Sequence, residues 1–253
     1  MSVVWLGVLG GLLVGAAMGL IMAYMCVSLY ANQAITGIVL NIFGLGITGF
    51  TFRLMYGFCL IPPRITPLPV WRVPYLSELP VVGPVLFQQP PIVYLSLLLV
   101  PAVSWLLFRS SWGLRLRAVG GDARAADAMG IDVRRVRYAA LLLGGALAGL
   151  AGACLTVGIG MFSEGMSANR GYIALALVMF SRWQPGLALG GALLFGLADS
   201  LQLRIQSLGL HIPYQFLLML PYILTIVVLV MGKKGGMAPS VVGIPYRRER
   251  KGV

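Results

Sequence analysis

Charge of either sign is scarce in this chain, and acidic charge most of all. Only seven of 253 residues are Asp or Glu, there is one histidine, and no charged residue occurs before Arg53. With 10% charged and 59% hydrophobic residues and a mean hydropathy of +0.91, a soluble domain is excluded and a membrane bundle expected. With no early basic region and an apolar run from Val3 to Leu29 too long for a signal core, the opening segment is expected to be a retained span. The three cysteines, Cys26, Cys59 and Cys154, lack metal or redox spacing. His211 has no acid-base companion nearby. The sequence also lacks GxxxxGK[ST], HExxH and GxSxG, so no catalytic signature is present and an enzyme is not expected.

What is present is a series of about seven apolar runs: Val3 to Tyr30, Thr36 to Tyr56, Ile92 to Phe108, Val136 to Gly160, Tyr172 to Trp183, Leu187 to Leu203 and Tyr214 to Met231. A crossing needs roughly 20 apolar residues, so the fifth is a short or broken helix. The expected fold is an all-α, polytopic transmembrane bundle over residues 1–232, followed by a basic cytoplasmic tail, 233–253. The net charge of +12 sits in blocks, seven arginines from Arg109 to Arg137 and six Lys or Arg after Gly232. Blocks flanking apolar spans indicate cytoplasmic orientation rather than nucleic-acid binding. With 109–137 inside, alternation returns the tail inside and puts the loop 57–91, which holds nine of the fifteen prolines, outside. That loop is expected to be extended and turn-rich. The same count puts Met1 outside. Glycines concentrate in the first span (Gly7, Gly10, Gly11, Gly15, Gly19) and the fourth (Gly144, Gly145, Gly149, Gly152), the spacing of close helix packing in lipid.

The polar insert Gly113 to Ile131, GLRLRAVGGDARAADAMGI, interrupts this apolar series. Asp122 is suited to cap a two-turn helix from Ala123 to Met129, and Gly130 to end it in the left-handed region. Arg124 and Asp127 would share one face; Ala125, Ala126 and Met129 would form a weakly apolar one. So short a helix must be held by packing, which points to a partner's groove. The alternative is an ordinary inner loop whose arginines meet membrane lipid phosphates.

In Gly113, Arg117-Ala118, Gly120, Ala125-Ala126 and Gly130-Ile131 the insert resembles the coupling loop of ABC importer permeases of the branched-chain amino acid, ribose and nucleoside group. It departs from their pattern at Gly121 and Ala123. The resemblance extends to Ala31-Asn32-Gln33, Gly37 and Asn41, and to Glu164-Gly165-Met166, Arg170 to Ala176 and Arg182-Trp183. It continues through Ala198-Asp199, Leu201-Gln202 and Ile212 to Gln215, and is closest to the nucleoside (simple sugar) type. It implies a multi-pass permease of a bacterial inner membrane, importing nucleosides or simple sugars. It also implies a separate ABC ATPase that uses the ATP, with no cofactor on this chain, an extracytoplasmic substrate-binding protein, and a second homologous permease in a heterodimer. Members of the group carry roughly two more helices ahead of the position of Met1, so this chain is expected to lack spans they possess. The coupling residues would be Gly113, Arg117, Gly120, Asp122, Ala125, Ala126 and Gly130.

Polar residues within spans are costly enough to be pathway candidates: Asn41, Asp199 and Gln202, with Gln206 continuing the stripe, although helix-to-helix hydrogen bonding alone explains such a stripe and is the favoured account of it. Glu164, Asn169 and Arg170 at an outer end are candidate contacts for the binding protein, or members of a salt bridge or helix cap. A branched-chain amino acid permease and an ion-coupled secondary transporter are the alternatives; the latter would need coupling-ion residues that Asp199 alone hardly supplies.

Overall fold

The structure, a computed structural model, describes residues 2–57, 64–65, 68–72, 87–167 and 170–208, and singly 216, 219, 223, 243 and 246. Helix α1 (Ser2–Ala23) runs on into a π-helical turn, Tyr24–Ser28, and α2 spans Gln33–Tyr56. A short antiparallel ribbon pairs β1 (Trp71–Arg72) with β2 (Gln88–Gln89), Trp71 opposite Gln89. Then come α3 (Pro91–Arg109), α4 (Ser111–Gly121), α5 (Ala123–Ala128), α6 (Val133–Ile159), α7 (Arg170–Phe180) and α8 (Pro185–Ser207).

Five of these helices are long and apolar enough to cross a membrane: Val4–Ser28, Gln33–Tyr56, Pro91–Arg109, Val133–Ile159 and Pro185–Ser207. The eleven residues of α7 rise roughly 16 Å, about half of a hydrocarbon core. The fifth run is therefore short, as expected, but by length it is not the full crossing that the alternation returning the tail to the inside counts it as. It ends where Arg182 and Trp183 take positive φ of 53° and 63°, and Pro185 then starts α8 in the first helical position, where a missing N–H costs nothing. Most of the seventh run, of the tail 233–253 and of the loop 57–91, together with His211 and Cys59, lies outside the described residues. What is described of that loop is extended, as its prolines demand.

Contacts divide the chain into two compact units, one of Met1–Leu98, Ser110–Ala168 and Pro239–Val253, the other of Leu99–Arg109 and Asn169–Ala238. In the first, α1 packs directly on α6 through glycine. A Cβ at Gly15 would lie 2.7 Å from the Gly149 backbone nitrogen, and one at Gly145 2.8 Å from Gly19 Cα; Gly11 faces Gly149 and Ala153. The order Gly11, Gly15, Gly19 against Ala153, Gly149, Gly145 is an antiparallel small-residue seam, with backbones close enough for Cα–H···O contacts. Gly7, Gly10, Gly144 and Gly152 have open space where a Cβ would stand and take no part in it. Five of the nine span glycines thus make the contact, because only one face of each helix meets the other.

In the second unit α8 buries Gly191, Ala198 and Gln202, residues spaced so as to fall on one helical face. Ser181, also buried, donates its hydroxyl proton to the Val178 carbonyl at 2.9 Å, closing the end of α7.

Candidate functional site

The polar insert is a preformed helix-turn-helix, not a loop. Ser110 caps α4, its hydroxyl accepting from the Gly113 amide at 3.0 Å. The extended backbone of Asp122 (φ −148°, ψ 107°) then breaks the helix, and Asp122 Oδ1 accepts from the amides of Arg124 (2.8 Å) and Ala125 (3.1 Å) to start α5. At the far end Gly130 sits at φ +83°, the Gly130 amide donates to the Asp127 carbonyl and the Ile131 amide to that of Ala126, both at 3.0 Å. These two bonds make a full Schellman stop, which needs a residue free of Cβ strain at Gly130. Asp132 next caps α6 through the Arg135 amide at 3.1 Å and pairs with the Arg135 guanidinium at 3.0 Å.

A hydrophobic cluster inside this chain holds the short helix. Val119 of α4, Ala123 and Ala126 of α5, and Val133 and Val136 of α6 are buried together, with Leu116, Ile131 and Tyr246 packed against them. The expected apolar face is therefore corrected. Ala126 does pack, but with Ala123 three residues earlier, whereas Ala125 is exposed and Met129, at 83% exposure, points away. The helix ends at Ala128, so Met129 no longer follows the face its spacing implied. Of the other expected coupling residues, Gly113 is buried, Gly120 is half-buried, and Arg117 and Asp122 are exposed.

Behind the insert, α1 is latched to α6. The Ser28 hydroxyl, in the π-helical turn, hydrogen-bonds that of Tyr138 and accepts from Arg134 Nη2 at 2.7 Å. The Arg134 guanidinium lies 6.0 Å from the Tyr138 ring centre. Tyr30 takes φ +55° beside it, a costly conformation for a bulky residue. Between this turn and the end of α5 lies a pocket of about 240 Å³, lined by Val27, Tyr30, Asp127, Gly130, Arg134 and Tyr246 among others.

At the opposite ends of α2 and α6, Arg53 grips Glu164 with two parallel bonds, Nε to Oε1 and Nη2 to Oε2, each 2.9 Å. Phe52 stacks obliquely on Phe162 beside them, ring centres 5.4 Å apart. The hydrogen bond from Arg53 holds the Glu164 carboxyl below its ordinary value; the small desolvation opposes this and the charge of Arg53 reinforces it. A carboxylate with a depressed folded-state pKa stabilises the fold above its unfolded pKa, about 4.3, and loses that contribution as pH falls through the folded value. The melting-temperature difference between wild type and Glu164→Gln is therefore expected to be constant from neutral pH to about pH 4.3 and to shrink below it. A difference that grows on acidification would show that the pair is not its source.

The remaining candidates lie in different parts of the molecule. Asn41 lines a groove on α2 in the first unit, while Asp199 and Gln202 belong to α8 in the second. Gln202 is buried and Asp199 half-buried, and the Gln206 Nε2 finds no hydrogen-bond partner among the described residues. Arg170 opens α7, and Asn169 lies outside the described residues. Sequence reasoning missed α4, the caps at Asn32, Ser110 and Asp132, the Ser28–Tyr138–Arg134 contacts, and Arg53 as the partner in the salt bridge open to Glu164. The caps had a signal, a Ser, Asp or Asn just ahead of a helical stretch; the contacts, more than 100 residues apart in the chain, had none.

The family described as the branched-chain amino acid transport system, permease component, matches residues 1–229. The chain belongs to that family. Its similarity extends to the Putative glucose ABC transporter permease protein TsgC13 of Haloferax volcanii, 43% identical over 211 residues, which are 81% of this chain and 63% of that protein. The Guanosine ABC transporter permease protein NupQ of Bacillus subtilis is 36% identical over 253 residues, 98% of this chain and 79% of the relative. The Nucleoside ABC transporter permease protein NupC of Lactococcus lactis is likewise 36% identical, over 97% of this chain and 78% of its own length. No solved structure matches. Membership and the five spanning helices make this permease component a multi-pass protein of the cytoplasmic membrane.

Proposed function

We propose that this chain forms part of the translocation pathway of an ATP-driven importer of nucleosides, with simple sugars the second cargo, and that α5 is where a separate ATPase docks. The observation that carries the docking is the state of α5: both ends capped, one face seated on its own chain, and Arg124, Ala125 and Met129 left exposed. A two-turn helix is marginal in water, so its prior stabilisation removes an ordering cost from any partner that binds it. The names of two relatives, for guanosine and for nucleosides, support the cargo.

The mechanical route follows from the contacts. Force on α5 reaches α6 through Val133 and Val136, and α6 carries α1 with it through the glycine seam and the Ser28 latch. ATP, used on the partner, would bias the bundle between openings only through contacts that differ in the two states. In this reading an extracytoplasmic binding protein rests near Glu164, Asn169 and Arg170, and Asn41, Asp199 and Gln202 contribute to the pathway. A second homologous permease completes a heterodimer, and membrane lipid surrounds the exposed apolar faces.

Co-expression with candidate ATPase, permease and binding-protein subunits, followed by purification and ATP-dependent uptake in proteoliposomes, tests the reading. A stable complex that accumulates guanosine is expected, with reduced uptake in an assembled Asp199→Asn variant. Uptake of leucine alone would replace the cargo. An intact bundle that binds no ATPase and takes up solute with an ion gradient would make it a secondary transporter.

A further inference from the structure

On α2 the residues Asn41, Gly44 and Thr48 recur at helical spacing and face a groove of about 810 Å³, within the range of small-molecule sites. Met18 of α1 and Thr156 of α6 form its other flanks, and Phe162, Ser163 and Glu164 close one end. An asparagine eight residues into a spanning helix is expensive against lipid and belongs where polar matter passes.

Three features define what fits. Phe162 offers an aromatic surface at the end of the groove, held by the oblique stack on Phe52, which in turn meets Tyr56 at 5.3 Å between ring centres. Beside it the Glu164 carboxylate is fixed by Arg53, yet each oxygen keeps a second lone pair for a ligand hydroxyl. Its approach from α2 is open because position 49 is glycine; a Cβ there would lie 3.7 Å from Oε2. Finally, among the described residues Glu164 is the one ionised residue in the lining, and Arg53 already matches it. A zwitterionic amino acid would need a cation for its carboxylate, and a nucleotide several for its phosphate. The described lining provides neither. A neutral ligand with an aromatic face and several hydroxyls meets every group.

We infer that this groove is the permease's own substrate-contact site and that it takes a nucleoside, the base against Phe162, the sugar hydroxyls donating to Glu164, and Asn41 and Thr48 forming the next station along α2. The inference rests on the importer reading above and adds to it a place and a selectivity.

The test uses the reconstituted importer carrying Thr48→Cys or, as a second reporter, Ser163→Cys, labelled with a membrane-impermeant thiol reagent against the parent's background. Guanosine is expected to slow labelling at least fivefold, and leucine and guanosine monophosphate to leave it unchanged. Base–aromatic stacking implies that Phe162→Leu raises the guanosine concentration for half-protection roughly tenfold, with Phe162→Tyr close to wild type. If the parent complex imports guanosine while neither cysteine is protected, the groove assignment fails and the importer reading survives. Protection by leucine but not guanosine overturns the selectivity. A parent complex that imports no nucleoside ends both.

Discussion

Replacing Gly149 with leucine is expected to separate α1 from α6 and leave little folded permease. A Cβ at this position would stand 2.9 Å from Gly15 Cα and 3.0 Å from the Gly11 carbonyl carbon, so the obstacles are backbone atoms with no rotamer to escape into. Overpacking typically costs about 1–3 kcal/mol, and more where the neighbours cannot give way. In lipid the penalty is compounded, because no hydrophobic force pushes separated helices back together and close packing is what joins them. Gly144→Leu, five residues away on another face with open space at its Cβ, is the matched control and is expected within about 0.5 kcal/mol of wild type. Thermal melting and yield of the detergent-solubilised protein distinguish the two. Equal tolerance at both positions would mean that the seam does not hold the first unit together.

The double variant Asp122→Ala, Gly130→Val is expected to reduce ATP-driven uptake more than tenfold while the bundle stays folded. Losing the Asp122 cap costs about 0.5–2 kcal/mol, and forcing a β-branched residue to φ +83° about 1–2 kcal/mol. The two changes act on opposite ends of one two-turn helix, so their effects are coupled rather than independent. Roughly 2–3 kcal/mol on so short an element shifts its folding equilibrium by about 30- to 150-fold. The valine cluster beneath belongs to α4 and α6 as well and survives the loss of α5's order. Uptake, co-purification with the ATPase, and the melting temperature are measured together. Normal uptake by a variant whose α5 has melted would remove that helix from the coupling role.

The insert was legible to different depths at its two ends. Asp122 and Gly130 act through their own local backbone, so a cap and a stop could be recognised from residue type and spacing. The packing face was misjudged. Ala125, Ala126 and Met129 are equivalent candidates on a bare helix, but Ala123 joins Ala126 in place of Ala125 and Met129 because Val119, Val133 and Val136 arrive from two other helices on that side. The glycine seam divides similarly. The runs in the first and fourth spans announce close packing, but which five of the nine glycines meet depends on the rotation of each helix about its axis. Glu164 was open between a salt bridge, a cap and a protein contact, and its partner lies 111 residues earlier.

By itself the sequence determined the class of molecule, the five spans among the described residues, the short fifth run and the two-turn element at Asp122 to Gly130. These depend on transfer energies and backbone preferences that act within about 20 consecutive residues. Only the tertiary structure decided the antiparallel seam of α1 on α6, the latch of Ser28 on Tyr138 and Arg134, and the neutralised Glu164 beside an aromatic-ended groove. Each is a contact between residues far apart in the chain, and in a sequence so uniformly apolar many pairings of helix faces are nearly equal in hydropathy. Shape and a handful of polar bonds choose among them, and those come into being only when the helices meet.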